Sequence, residues 1–221
     1  GCYEIPPNLT YEEAALMDVL AVCTHAFKRA NHHLDMTILI MGAGPIGNGI
    51  AQVARNSGVA EDKIVIMENN EVALRMAEDT GFQNIIDSTD MNVGDLYDNI
   101  LKISRGKIYS IFDSIGTNFS FNLGLKLLEK GGTFINLAVH DQKVENLNQM
   151  QFSSERKITT SSNFSRSAYE QAWKWLQRGG FTLEPWLTRI SLEDVPKIFE
   201  EIFKNKGDKT YFKLVVLSNS I

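Results

Sequence analysis

Thr37-Ile38-Leu39-Ile40-Met41-Gly42-Ala43-Gly44-Pro45-Ile46-Gly47 decides the fold. Its first five residues form a short continuous apolar run, as expected of a strand buried on both faces of a parallel sheet. Three glycines spaced G-x-G-x-x-G follow at once and open a helix that runs to about Ser57. From there the chain alternates. Lys63–Met67 reads as a second strand, Glu71–Thr80 as a helix closed by Gly81, and Asn84–Asp87 as a short third strand. A helix over Val93–Ser104 precedes a strand over Ile108–Phe112. A helix over Phe119–Lys130 then stops at Gly131-Gly132, before the strand Thr133–Leu137. Upstream, Thr10 and Glu13 are spaced as a capping box ahead of a helix from Ala14 to about Lys28. Strand and helix repeating at this spacing predict an α/β fold: a doubly wound parallel sheet with right-handed crossovers, in three α/β/α layers.

Beyond residue 140 the rhythm loosens. Lys157–Thr160 is a candidate sixth strand, Arg166–Arg178 an amphipathic helix, Leu192–Lys204 a further helix and Tyr211–Leu217 a terminal strand. No linker divides the chain, so residues 1–221 are expected to form one domain with flanking N- and C-terminal segments.

Composition narrows the function. Of the 221 residues 43% are hydrophobic and 22% charged, and Lys+Arg 22 against Asp+Glu 27 leaves a net charge of −5. With the basic residues scattered, nucleic acid is not an expected partner. No apolar run approaches a membrane span and no signal-peptide pattern precedes the first helix. Two cysteines make no disulfide framework, which suits a reducing cytoplasm. The chain opens on Gly1-Cys2 and an extended segment, Tyr3–Pro7, as the continuation of something longer would.

The glycine turn carries the chemistry. Gly42 permits the tight turn, Gly44 lets a pyrophosphate approach the backbone, and Gly47 lets helix and strand pack closely. Pro45 and Ile46 complete the turn, and the helix N-terminus offers N–H groups and partial positive charge to phosphate. Glu68 ends the second strand about 20 residues later, where a carboxylate accepts from the hydroxyls of an adenosine ribose and repels a 2′-phosphate. Neither Asn69 nor Asn70 is the Arg expected of an NADP site, so NAD is the expected cofactor. Two plainer readings stay open: a tight turn without ligand, and a solvated strand-end carboxylate.

With these residues placed, the chain from Tyr3 to Leu217 resembles the medium-chain dehydrogenase/reductase family, the zinc-type alcohol and polyol dehydrogenases. The resemblance rests on Tyr3-Glu4-Ile5-Pro6 with Glu12–Leu16, on Leu20–Ala26, on Gly42–Gly47, on Asp113-Ser114-Ile115-Gly116 and on Leu137-Ala138-Val139. It implies a Rossmann coenzyme domain. Gly42, Gly44, Pro45, Ile46, Gly47, Glu68, Asn69, Ser114, Ile115 and Gly116 would border the cofactor, with Leu137 and Ala138 beside the nicotinamide. It also implies edge-to-edge pairing of coenzyme domains in a homodimer, with Thr133–Leu137 near the interface.

The family's N-terminal catalytic domain, which carries the zinc ligands, has no counterpart here, and Cys2 and Cys23 lack C-x-x-C spacing. Zinc is expected only in a complete parent enzyme. Asp18 is either a vestigial ligand or a solvated helix carboxylate; one carboxylate cannot hold zinc, which takes about four ligands. His25 lies about two turns along the same helix, facing the cleft by family analogy, although a core histidine is the commoner case. His32 and His33 read as solvent-exposed, and Trp173, Trp175 and Trp186 as packing residues. The expected function is the NAD(H)-binding half of a dehydrogenase moving hydride between NAD and a secondary alcohol, inactive by itself. The alternatives are a stand-alone NAD(H)-binding or sensing module, a subunit completed by another chain, and a zinc-free reductase of the same family.

Overall fold

A computed structural model describes residues 2–106, 108–139, 143–145, 147, 149–204 and 211–217. Six parallel strands form the main sheet: β1 (Thr37–Met41), β2 (Ile64–Glu68), β3 (Ile85–Asp87), β4 (Ile108–Asp113), β5 (Leu128–Asn136) and β6 (Lys157–Thr160), in the order β3-β2-β1-β4-β5-β6. Successive residues of β1 face opposite layers. Ile38 and Ile40 join one core, with α2 (Met17–Arg29), α3 (Pro45–Asn56), α4 (Glu71–Asp79) and α7 (Arg166–Gln177). Leu39 and Met41 join the other, with α5 (Val93–Ser104) and α6 (Asn118–Leu127). All five residues of β1 are buried, so both faces of the strand require apolar side chains.

Local sequence sets most element ends. Thr10 and Glu13 make both halves of the capping box. Gly81, at φ +91°, closes α4 with a Schellman pair: its N–H donates to Glu78 O and that of Phe82 to Ala77 O. A buried polar network ties α3 to its neighbours. Asn48 donates to Thr80 Oγ1 at 3.0 Å, and Gln52 donates to Asn48 Oδ1 and accepts from the Thr182 N–H at 2.7 Å.

Several expectations need correction. The first helix is two, α1 (Tyr11–Ala15) and α2, interrupted at Leu16, so the capping box belongs to the short α1. The helix expected to reach Lys130 ends at Leu127, and β5 starts at Leu128 with a register break, Leu128 facing Ile108 and Thr133 facing Ser110. A strand not foreseen, β7 (Leu187–Ser191), pairs in parallel with β8 (Lys213–Leu217) in a separate two-stranded sheet, with α8 (Val195–Lys204) between them. Thr133–Asn136 pair with both β4 and β6, so this strand is interior and β6 forms the sheet edge. His32 is not solvent-exposed. Its Nδ1 lies 2.9 Å from the buried Ser110 Oγ, its Nε2 lies 3.2 Å from Met36 O, and burial lowers its pKa to about 4. Among the described residues no helix is long and apolar enough to cross a membrane.

Candidate functional site

The order of the sheet reverses between β1 and β4, and doubly wound sheets bind ligands outside the strand C-termini at such a point. A cavity of about 640 Å³ lies there, within the usual range for a small-molecule site. Gly42, Gly44, Pro45 and Ile46 line it from the turn after β1, Met67, Glu68 and Asn69 from β2, and Ser88 from the residue after β3. Ser114, Ile115, Thr117 and Phe119 line it beyond β4, and Leu137 beyond β5.

Steric necessity explains two of the glycines. A Cβ on Gly47 would stand 1.8 Å from the Gly42 carbonyl oxygen, so only glycine lets α3 start this close to β1. Gly42 adopts φ +92°, and a Cβ there would lie 2.5 Å from Ser114 Oγ. That hydroxyl donates to Met41 O at 2.9 Å, so Ser114 ties the turn after β4 to the glycine turn. Pro45 occupies the first helical turn of α3, where a missing N–H costs no hydrogen bond. Gly47 is buried behind the turn and does not line the cavity, and neither Gly116 nor Ala138 is among the lining residues.

Glu68 is only 6% exposed, so it is not a solvated strand-end carboxylate. Ala43 N–H donates to its Oε2 at 2.6 Å, and the N–H groups of Asn69 and Asn70 donate to Oε1 at 2.8 and 3.0 Å. Three backbone donors satisfy the buried charge, and the bond to Ala43 clamps the glycine turn onto the end of β2. A carboxylate has about four acceptor sites, which leaves capacity toward the cavity that Glu68 lines.

Across the cavity Asp113, fully buried, builds the second turn. Its Oδ1 accepts from the Ile115 and Gly116 N–H groups at 2.9 and 3.0 Å, and its Oδ2 accepts from Ser120 Oγ at 2.8 Å. Sequence reasoning placed this segment at the site but missed Asp113 as its organiser, and missed Met67, Ser88, Thr117 and Phe119 in the lining. The capping box Thr117–Ser120 was the available signal, because it marks a helix start at the C-terminal edge of the sheet.

The histidines and Asp18 stand apart. His25 is half-buried on α2 and absent from the lining; burial first, then the charges of Arg29 and Lys28, lower its pKa. Asp18 is exposed, and among the described residues no group of three or more His, Cys, Asp or Glu could hold a metal ion. The described residues therefore do not fit a zinc site. They do fit a dinucleotide: an anion-binding helix start beside a Cβ-free turn, an acidic side chain next to it, and a half-apolar cavity running past both.

Similarity to known proteins agrees with this geometry. The family model described as "Zinc-binding dehydrogenase" matches residues 45–178. L-idonate 5-dehydrogenase of Vitis vinifera is 28% identical over 90% of this chain and 55% of its own length. D-xylulose reductase of Saccharomyces cerevisiae is 26% identical over 90% of this chain and 56% of its own. The chain thus spans little more than half the length of these curated relatives. An Escherichia coli oxidoreductase/dehydrogenase of unknown specificity shares the fold, with a TM-score of 0.86 at 24% identity over 99% of this chain and 61% of that one.

Proposed function

The chain belongs to the zinc-binding dehydrogenase family, and from that premise we propose that it is the NAD(H)-binding unit of an alcohol or polyol dehydrogenase. One observation carries this reading: the Glu68 carboxylate, buried and bonded to Ala43 N–H, forms one wall of a cavity that runs past the glycine turn. The pyrophosphate would meet the first turn of α3, where the N–H groups lack intrahelical acceptors and the helix dipole favours negative charge. Glu68 and Asn69 would meet the adenosine ribose, with the remaining acceptor capacity of Glu68 on a hydroxyl. Its negative charge opposes a 2′-phosphate, and no Arg or Lys among the lining residues offsets it, which favours NAD over NADP. Ile46 and Leu137 would border the nicotinamide and keep water from one side of it.

Bound nicotinamide supplies the hydride chemistry, and the protein supplies orientation. The relatives named for idonate and xylulose support a secondary alcohol of a polyol as the substrate class. The residues that would select it, and the zinc ligands, belong in this reading to a catalytic portion outside these 221 residues. A cytoplasmic setting is part of the same reading, since Cys2 and Cys23 are both free thiols.

Fluorescence titration tests the proposal. NADH is expected to bind saturably and at least tenfold more tightly than NADPH. No saturable binding of either would overturn the site, and tighter binding of NADPH would overturn the reading of Glu68.

A further inference from the structure

We propose that Phe119 is the aromatic platform on which the adenine ring of the dinucleotide rests, an inference that builds on the cofactor reading above. Sheet order assigns the ends of the cavity. Glu68 and Asn69 after β2 and Ser88 after β3 lie on one side of the glycine turn, and Leu137 after β5 lies on the other. With pyrophosphate at the turn and a ribose at Glu68, the base extends toward the β3 side. Phe119, the second residue of α6, is linked to that end by α5, the helix after β3, which packs against α6. Phe119 lines the main cavity and also an adjoining one of about 540 Å³, which it shares with Val93, the first residue of the helix that follows β3.

The core does not need this ring. Phe119 is 43% exposed, whereas Phe121, two residues further on and so on the opposite side of the helix, packs against Phe134 with ring centroids 4.8 Å apart. Among the described residues no aromatic ring pairs with Phe119, and open volume lies on two sides of it. A single exposed phenylalanine is unremarkable by itself. Its position is not: a bare π-face at the cavity end where a flat heterocycle must lie, with Glu68 the one charged residue that lines the main cavity and Lys126 the one that lines the second. Adenine gains from stacking on any aromatic face, whatever hydrogen bonds its edge makes.

The test separates the base from the rest of the cofactor. NADH and ADP-ribose are titrated into the unaltered 221-residue chain and into Phe119→Ala, Phe119→Leu and Phe119→Tyr. The Ala variant is expected to bind both ligands about tenfold more weakly, by the same factor for each, within the roughly five- to hundredfold range of a lost stacking partner. Tyr should restore both affinities and Leu should not. Urea midpoints should match across the series because the side chain is exposed. If Ala fails to fold, the Leu and Tyr variants carry the comparison. Unchanged NADH binding in the Ala variant, a loss confined to NADH, or full affinity with Leu would each overturn the platform while leaving the cofactor site standing. Failure of the unaltered chain to bind either ligand would overturn both.

Discussion

Replacing Glu68 by Gln should destabilise the fold far more than a strand-end substitution ordinarily does. The carboxylate accepts three backbone N–H groups, one on Oε2 at 2.6 Å and two on Oε1 at 2.8 and 3.0 Å. Glutamine offers a single oxygen. Keeping it on the Asn69 and Asn70 pair preserves two bonds but turns an NH₂ group toward the Ala43 N–H, donor against donor. Ala43 is fully buried and does not line the cavity, so its N–H has no solvent-facing alternative. An orphaned buried N–H costs about 1–3 kcal/mol, and two charge-assisted bonds reduced to neutral ones lose about 1 kcal/mol each. The sum is roughly 3–5 kcal/mol. With a urea m-value of about 2 kcal/mol/M, the unfolding midpoint should fall by about 1.5–2.5 M. Urea denaturation followed by circular dichroism reads this directly. A Glu68→Gln midpoint within 0.3 M of the unaltered chain would refute the claim that this carboxylate holds the glycine turn, and would return it to a purely ligand-facing role.

Three further outcomes are expected from the same structure. Gly47→Ala places a methyl 1.8 Å from a backbone carbonyl that no rotamer can move, so it should cost at least about 3 kcal/mol and abolish NADH binding, both measurable on one purified variant. His32 has a folded pKa of about 4, below its ordinary 6.5, so the unfolded chain takes up the proton first. Its contribution is whole above pH 6.5 and is lost as pH falls from there toward 4. After allowance for its partial exposure this is on the order of 1–2 kcal/mol, and the His32→Gln variant should show that much less loss between pH 7 and 4.5. Cys2 is exposed, whereas Cys23 is buried and its thiol is pushed up by that burial. Ellman's reagent should therefore label Cys2 within minutes in the native chain and Cys23 only in denaturant; rapid labelling of both would contradict the packing of α2 against α3.

The main sheet was legible because its signals are local. Thr37–Met41 had to be apolar throughout to face two cores, and Gly47 had to lack a Cβ where α3 meets β1. Strand–helix alternation with right-handed crossovers then leaves few topologies open. Helix boundaries marked by local capping, through the Thr10 side chain and through the positive φ of Gly81, could likewise be read from neighbouring residues.

What the tertiary structure decided involves groups far apart in the chain. The role of Glu68 depends on a backbone N–H 25 residues upstream, and that of His32 on Ser110, 78 residues away. No periodicity encodes either contact. The partner of β8 is β7, a strand of mixed polarity that no alternation marks, so the sheet to which the terminal strand belongs could not be read from the sequence. Phe119 and Phe121 look alike in sequence, and only the packing of α6 against β5 sends one into the core and leaves the other at the cavity. Patterns of polarity determine which faces are buried; the pairing of particular polar atoms waits for the fold that brings them within hydrogen-bond distance.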